Sequence, residues 1–257
     1  MCGIFGVGFF TGHKLAGKEA TVKEMIAKVF VNSEVRGRDA SGVMCSTKTG
    51  TIDVVKKDIR SSYLSNTELY KKVIDETVDL KENKIWSVIG HCRAKTKGSE
   101  LNNANNHPIV RQDVVGVHNG SIQNDDSLFR ENSDIKRNGQ VDSEIIFALI
   151  EKYVREAPHG EKIHTSIIKT MKETTGAVAC SMVHKKHPHI IWLFRKYNPC
   201  DVLVFDDVGM VIFASEKGFI NRAVDGYDFG ESKALDFPTN SGLSIDLHRN
   251  RYFDYKL

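Results

Sequence analysis

The chain has 257 residues, and its 36 Lys and Arg against 33 Asp and Glu give a formal net charge of +3. Hydrophobic residues make up 40% and charged residues 27%, and these globular values exclude a wholly disordered chain. So small a charge provides no bulk field for nucleic acid, and no apolar run reaches the roughly 18 residues that span a bilayer. We therefore expect no nucleic-acid partner and no membrane association.

Strands and helices are predicted from apolar periodicity and from runs rich in Val, Ile, Phe and Cys. The strands come in two groups separated by helices, which predicts packed sheets covered by helices. In chain order the predictions are a strand over 4–10, a helix over 19–31, strands over 42–47, 52–57, 87–94 and 114–118, helices over 143–155 and 161–173, and strands over 178–184, 189–197, 201–206 and 209–214.

Two histidine-containing segments invite other interpretations. Residues 184–189 could bind a metal, but no carboxylate or cysteine lies at ligand spacing, so a polar turn punctuated by Pro188 is favoured. Residues 248–251 form a basic segment that we interpret as a solvated end. No repeat or flexible linker interrupts the chain, which favours one continuous domain.

The five cysteines are odd in number and widely spaced, and none forms a Cys-x-x-Cys pair. Reduced thiols in a cytoplasmic protein are the expectation, with neither disulfides nor a metal site. The apolar stretch over 4–10 is short, is broken by glycine and follows no basic segment, so we do not interpret it as a signal peptide.

Cys2 directly follows the initiator methionine, and a small second residue generally permits removal of Met1. A free Cys2 would carry an α-amine with a pKa of roughly 7.7–8.0 next to a thiol of about 8.5. One residue could then supply both a base and a nucleophile. Taken alone, Cys2 is more simply a buried cysteine at the start of a strand.

Four further segments also have ordinary explanations when taken alone. Residues 36–42 could be a Gly-rich turn, and Arg93 a surface ion-pair residue. The dipeptide Asn119-Gly120 is typical of a hairpin turn, and Asp142 is a good helix N-cap. Their combination and order make these explanations less favourable.

In this order the segments resemble the class II glutamine amidotransferases, a branch of the N-terminal-nucleophile hydrolases. The resemblance covers residues 2–216, with weaker similarity at 175–177 and 213–216. The matching pieces are Met1-Cys2-Gly3-Ile4-Phe5-Gly6, Arg36-Gly37-x-Asp39, Gly90-His91-x-Arg93-x-x-Thr96, Asn106-His107-Pro108, His118-Asn119-Gly120-x-Ile122 and Asp142-Ser143-Glu144.

The resemblance implies an α+β fold, a four-layer αββα sandwich of two mostly antiparallel sheets covered by helices. It also implies a single stand-alone domain over 2–257, in which 2–216 carries the motifs and 217–257 completes the domain. The edge that holds the N-terminal strand would line the active site.

The family's catalytic roles fall on three positions. Cys2 is implied as the nucleophile, with its α-amine as the base. The side-chain amide of Asn119 and the backbone N–H of Gly120 are implied as the oxyanion hole, where two donors together contribute several kcal/mol.

Substrate binding falls on three others, and orientation of the N-terminus on a fourth. Arg93 is implied to pair with the α-carboxylate of glutamine, a task that suits its planar fork, and Asp142 with the α-ammonium. Thr96 would lie near the amino-acid end of the substrate, and Arg36 would orient the N-terminal residue.

Several positions depart from the family pattern. Ala94 stands where many members have Trp, Lys97 where some have His, and Ala40 where Ser is frequent. These changes alter the walls of the glutamine pocket and leave the core roles intact. Cys92 is expected to point away from the site, because neighbouring strand residues alternate faces.

The expected activity is hydrolysis of the glutamine side-chain amide through a Cys2 thioester, giving glutamate and ammonia. No phosphate-binding motif is present, so the ammonia would pass to a synthase on a separate chain. No cofactor is indicated. Two alternatives stay open: a hydrolase of another γ-glutamyl amide without ammonia transfer, and a catalytically silent domain that binds an amino acid or a partner protein.

Overall fold

A computed structural model describes residues 1–158 and 162–257, so residue 161 of the predicted helix over 161–173 lies outside the described residues. The strands are β1 Gly3–Phe9, β2 Ala40–Thr47, β3 Ile52–Lys57, β4 Ile85–Arg93, β5 Ile109–Val110, β6 Val114–Ile122, β7 Gly176–His184, β8 His187–Lys196, β9 Asp201–Phe205, β10 Met210–Ala214, β11 Lys233–Ala234, β12 Ser241–Asp246 and β13 Arg251–Lys256. The helices are α1 Glu19–Asn32, α2 Ser61–Leu64, α3 Glu68–Thr77, α4 Asp125–Glu131, α5 Glu144–Glu156, α6 Ile163–Glu173 and α7 Lys217–Val224.

The strands form two antiparallel sheets. The seven-stranded sheet has the order β11-β9-β10-β1-β4-β2-β3, and the six-stranded sheet has the order β13-β12-β8-β7-β6-β5. β1 lies inside its sheet, paired with β10 on one side and β4 on the other. The N-terminal strand is thereby held on both edges, which places the residue before it between two neighbouring strands.

Three apolar clusters fill the spaces between four layers. One lies between α1, α3, α7 and the seven-stranded sheet. A second lies between α5, α6 and the six-stranded sheet. The third joins the two sheets face to face, with Ile4, Ile89, Val117, Ala179 and Leu193 among its buried members. The predicted αββα sandwich is confirmed.

Glycine lets the aromatic side chains of β1 and β10 fit between strands. Phe5 pairs with Gly90 and Gly6 pairs with Phe213. A Cβ on Gly6 or Gly90 would overlap the facing phenylalanine ring, so both positions need a residue without a side chain. These pairs set how β1 lies in the sheet, and so where Cys2 enters it.

The grouping of strands along the chain was a wrong guide to the sheets. β6 was predicted with the first group but pairs with β7 in the six-stranded sheet, whereas β9 and β10 join β1 in the other. Periodicity within a segment reports its buried face and not its partner strand. The short elements α2, α3, α4, α7, β5, β11, β12 and β13 were not predicted.

The two histidine-containing segments also differ in detail. The turn at 184–189 is only two residues long, because β7 runs to His184 and β8 already begins at His187. The basic segment at 248–251 is exposed, as expected, but it is not a chain end. It closes the β12–β13 hairpin, and Arg251 opens the last strand.

No helix in the described ranges is both long and apolar enough to cross a bilayer.

Candidate active site

Cys2 lies just before β1, and Arg36 fixes its main chain. The Arg36 Nε donates to the Cys2 carbonyl oxygen at 2.8 Å, and Arg36 Nη1 forms an ion pair with Glu216 Oε1 at 2.6 Å. Met1 is 76% exposed. Arg36 therefore holds the Cys2 main chain in place, and its orienting role in catalysis stays a prediction.

The Cys2 thiol lies against the main chain of Ala94. Its Sγ accepts from the Ala94 N–H at 3.3 Å and lies 3.5 Å from the Ala94 carbonyl oxygen. Burial raises the pKa of the thiol, more than the Ala94 N–H and the charge of Arg93 lower it. The thiol is therefore protonated at neutral pH and needs a base to become a nucleophile.

Arg93 ends β4 as a buried cation that is held only by neutral oxygens. Its Nη1 donates to Asn106 Oδ1 at 2.9 Å, and its Nη2 donates to the carbonyls of Lys97 and Gly98, each at 2.8 Å. The side chain is 2% exposed, and no carboxylate of the described residues forms an ion pair with it. A buried guanidinium in this state is suited to bind an anion from outside the chain.

Asn106 is in turn anchored from behind by Lys56 of β3. Lys56 Nζ donates to the carbonyl oxygens of Asn106 and Pro108, at 2.7 and 2.8 Å. Burial lowers the pKa of Lys56 to about 8. Asn106 belonged to a matching motif without an assigned role, and Lys56 had no sequence signal. Both position Arg93.

Asp142 precedes α5 and does not act as its N-cap. The N-cap position is Ser143, and Asp142 Oδ2 instead accepts from the Ile122 N–H at 2.6 Å. Asp142 is 3% exposed and forms no ion pair with any described residue. It is a buried carboxylate without a cation, the counterpart of Arg93.

Asn119 and Gly120 lie inside β6 and do not form a hairpin turn. The buried side chain of Asn119 has no hydrogen-bond partner for its nitrogen or its oxygen among the described residues. Gly120 has φ of +155°, and a Cβ there would overlap the Ala177 carbonyl. An unpartnered amide beside a main chain that requires glycine is suited to receive a polar ligand atom.

Alternation along β6 directs Asn119 toward the other sheet. Val117 belongs to the cluster between the sheets, and His118 bonds Ser143 Oγ on the helix side. Asn119 therefore shares the inner face with Val117. The His91 Nε2 contact with the His118 carbonyl at 3.0 Å joins β4 to β6 across the same interface.

The charge of Arg93 lowers the pKa of the Cys2 thiol and the charge of Asp142 raises it, and Arg93 directly precedes Ala94, whose N–H bonds the Cys2 Sγ. Thr96 is exposed on the loop after β4, and it makes no side-chain hydrogen bond within the described ranges. Cys92 points to the helix side, where its Sγ contacts the Phe30 carbonyl, as predicted.

A charged cluster outside the predicted site joins the Arg93 loop to α4. Lys97 Nζ lies 2.6 Å from Asp125 and 2.9 Å from Asp126, and Arg137 contacts the same two carboxylates. These cations lower the pKa of Asp126 to about 2. Lys97 was noted only as a departure, and spacing alone does not predict its partners.

Ser215 and Glu216 belong to a segment with only weak similarity to the family, yet both hold the N-terminal strand. Ser215 Oγ accepts from the Ile4 N–H at 3.0 Å, and Glu216 pairs with Arg36. This weak similarity was the one sequence signal that pointed to these two residues. Across residues 1–158 and 162–257, no group of three or more His, Cys, Asp or Glu is arranged to hold a metal.

Comparison with known proteins found no matching family model. Among curated proteins, glutamine–fructose-6-phosphate aminotransferase (isomerizing) of Chlamydia pneumoniae is 31% identical over 203 residues, 77% of this chain and 29% of that protein. The enzyme of the same name from Bacillus cereus is 27% identical over 247 residues, 95% of this chain and 37% of that protein. The chain thus spans about a third of these relatives' length.

Two solved structures share the fold. The glutamine phosphoribosylpyrophosphate amidotransferase from B. subtilis, complexed with ADP and GMP, aligns with a TM-score of 0.64 at 16% identity. A structure described as the allosteric regulatory enzyme of purine biosynthesis aligns with a TM-score of 0.65 at 17% identity. In both, the match covers 99% of this chain and 49% of the other.

Proposed function

Because this chain belongs to the class II glutamine amidotransferases, the N-terminal-nucleophile branch, we propose that it hydrolyses the side-chain amide of glutamine. The products are glutamate and ammonia, and the intermediate is a thioester on Cys2. No metal or cofactor takes part in the proposed reaction.

The observation that carries this proposal is the pair of buried charges beside Cys2. Arg93 and Asp142 are each almost wholly buried, and neither forms an ion pair within the described residues. Unpaired buried charges are costly and are retained where a ligand completes them. A free α-amino acid supplies one carboxylate and one ammonium, which matches this pair and defines the pose of the substrate.

The reaction begins on Cys2 once Met1 has been removed. Because burial raises the pKa of the thiol, its proton must pass to a base. The new α-amine, with a pKa of roughly 7.7–8.0, takes that proton while sulfur attacks the amide carbon. Arg36 holds the Cys2 carbonyl and so keeps amine and thiol oriented.

The resulting oxyanion lies between the Asn119 amide and the Gly120 N–H. The α-ammonium of Cys2 then donates its proton to the leaving nitrogen, the C–N bond breaks, and ammonia departs. Water, activated by the same amine, attacks the thioester and releases glutamate. Each step uses groups preorganised on two facing strands.

A glutaminase assay tests the proposal directly. We expect Cys2→Ala to lower glutamate release by about 10⁴-fold or more, because the residue supplies both thiol and oriented amine. Cys200→Ala, at a buried cysteine that lies before β9, is the matched control and should keep near-native activity. Equal glutamate release from native protein and Cys2→Ala would overturn the assignment.

Two further measurements separate the remaining alternatives. Intact mass should show Met1 removed and one adduct after treatment with a glutamine-mimicking electrophile, whereas a retained Met1 without adduct indicates a silent binding domain. Faster hydrolysis of γ-glutamyl conjugates than of free glutamine would identify the other hydrolase.

We also propose that residues 2–257 form a single domain and that ammonia passes to a synthase on a separate chain. In support of a single domain, strands from β1 to β13 are built into the two sheets of one sandwich. Copurification of a synthase with the tagged protein tests this. The cytoplasmic location stays a prediction.

A further inference from the structure

A cavity of about 800 Å³ lies on the helix-facing side of the six-stranded sheet, at the end of β8, β12 and β13 where α6 begins. We call it the edge cavity. Its lining includes none of the residues placed in the Cys2 site. Its size is ordinary for a small-molecule site.

Aromatic side chains form the walls of the edge cavity, and a small side chain lies on the floor between them. Trp192 pairs with Ser244, and Ser244 pairs with Phe253 in the next strand, so the three form one row across the sheet. Strands lie about 4.8 Å apart, which separates the two aromatic positions by roughly 10 Å. That spacing matches two successive ring contacts of about 4.5–7 Å each.

The ring of Phe253 is about half exposed and is held in place by a neighbouring side chain. The side chain is 53% exposed, and His164 of α6 packs on it with ring centroids 5.5 Å apart. The Ser244 hydroxyl lies on the floor between the walls, beside the buried Tyr255 hydroxyl. A held aromatic surface above a floor that carries a hydroxyl is suited to a planar polar ring.

The next row of the sheet makes one end of the cavity cationic. Asp246 pairs across the strands with Arg251, and Arg249 on the hairpin turn contacts the Asp246 carboxylate at 3.5 Å. Lys162, at the N-cap of α6, lines the same end. Since Asp246 is matched by Arg249, Lys162 and Arg251 remain without an acidic partner in the part of the chain that is described.

We propose that the edge cavity binds a nucleoside monophosphate, with the base against Phe253 and Trp192 and the phosphate at Arg251 and Lys162. A flat aromatic ring joined to an anion matches the walls and the cationic end together. Neither a simple anion nor an apolar molecule uses both. The proposal is independent of glutamine hydrolysis, because binding can be measured without turnover.

Isothermal titration of the full chain with AMP tests the proposal. We expect saturable binding with one site per chain. Adenosine and inorganic phosphate serve as separate arms, and each should bind at least tenfold more weakly, since each retains only one of the two contacts. Binding of phosphate as tightly as AMP would overturn the assignment to a nucleotide.

Two variants of exposed residues locate the site. Phe253→Ala and Arg251→Gln should each weaken AMP binding by roughly tenfold, while Tyr63→Ala, at an exposed tyrosine elsewhere, should leave it unchanged. Unfolding midpoints verify that the variants are folded. Absence of saturable AMP binding, AMP binding that both variants retain, or binding of poly-glutamate in place of AMP would each overturn the proposal.

Discussion

The two sheets contribute to the candidate site in different states. Beside the seven-stranded sheet, Arg36 holds Cys2 and Glu216, and Arg93 at the end of β4 is held by Asn106 and two carbonyls. Beside the six-stranded sheet, the Asn119 amide of β6 has no partner among the described residues, and Asp142, just before α5, accepts a single bond from Ile122.

This difference indicates a division of labour. The first sheet holds the nucleophile and the cation in a fixed geometry before substrate arrives. In the proposed function, substrate supplies the partners that the second group lacks, and an unmade buried hydrogen bond costs about 1–3 kcal/mol. We therefore expect substrate to satisfy the Asn119 amide and Asp142, while the positioned Arg93 fixes where the amino-acid end binds.

The largest effect is expected at Asn119. Asn119→Ala should lower kcat about 10²–10³-fold with little change in KM, because in the proposed mechanism its amide donates to the oxyanion and not to bound glutamine. Steady-state kinetics measure this. Asn66→Ala, an exposed asparagine at the end of α2, is the control and should stay at native kcat. A raised KM with unchanged kcat at Asn119 would assign it to substrate binding.

Low pH should destabilise the folded chain, because histidines are buried between the sheets. Burial lowers the pKa of His91 to about 3 and that of His107 well below its usual value. Between pH 6.5 and 3 the unfolded chain then binds protons that the folded chain does not. Stability should therefore fall by a few kcal/mol as pH decreases through this window.

Denaturant unfolding at pH 7 and pH 5 measures this loss. His107 stacks on His91 with centroids 4.1 Å apart, so His107→Phe keeps a ring there while removing one acid-sensitive group. The variant should lose less stability than the native protein over the same pH range. An equal loss would assign the acid sensitivity to other groups.

A smaller effect is expected behind Arg93. Asn106→Ala removes one hydrogen bond to a buried cation, worth about 1.5–3 kcal/mol, and should raise KM for glutamine roughly tenfold or more. The value of kcat should stay within about twofold, because in the proposed pose Arg93 binds the amino-acid end of glutamine and not the amide. Asn221→Ala, at an exposed asparagine on α7, is the control and should leave KM unchanged. A fall in kcat alone would contradict the positioning role.

The smallest effect is expected at Lys97, whose ion pairs connect the Arg93 loop to α4. Its side chain is 37% exposed and Arg137 still holds both aspartates without it. Lys97→Ala should therefore cost less than about 1 kcal/mol of stability and change KM less than threefold. Chemical unfolding and kinetics measure both. A tenfold rise in KM would show that this cluster controls the loop.

Much of the architecture was readable because it is local. Runs and periodicities of neighbouring residues predict buried strands such as β1 and amphipathic helices such as α5. The motif order around Cys2, Arg93, Asn119 and Asp142 indicated a family, and the family implied the sandwich. Which strands share a sheet was misread, because β6, β9 and β10 find partners distant in sequence.

The sequence by itself determined the nucleophile candidate, the two charges and the identity of the elements that hold them. Only the tertiary structure decided that Lys56 holds Asn106 behind Arg93, that Glu216 meets Arg36, and that the Asn119 amide is left unpartnered. Such facts depend on hydrogen bonds between segments 50 to 180 residues apart. Their geometry arises when two sheets pack face to face, and no pattern within one segment records it.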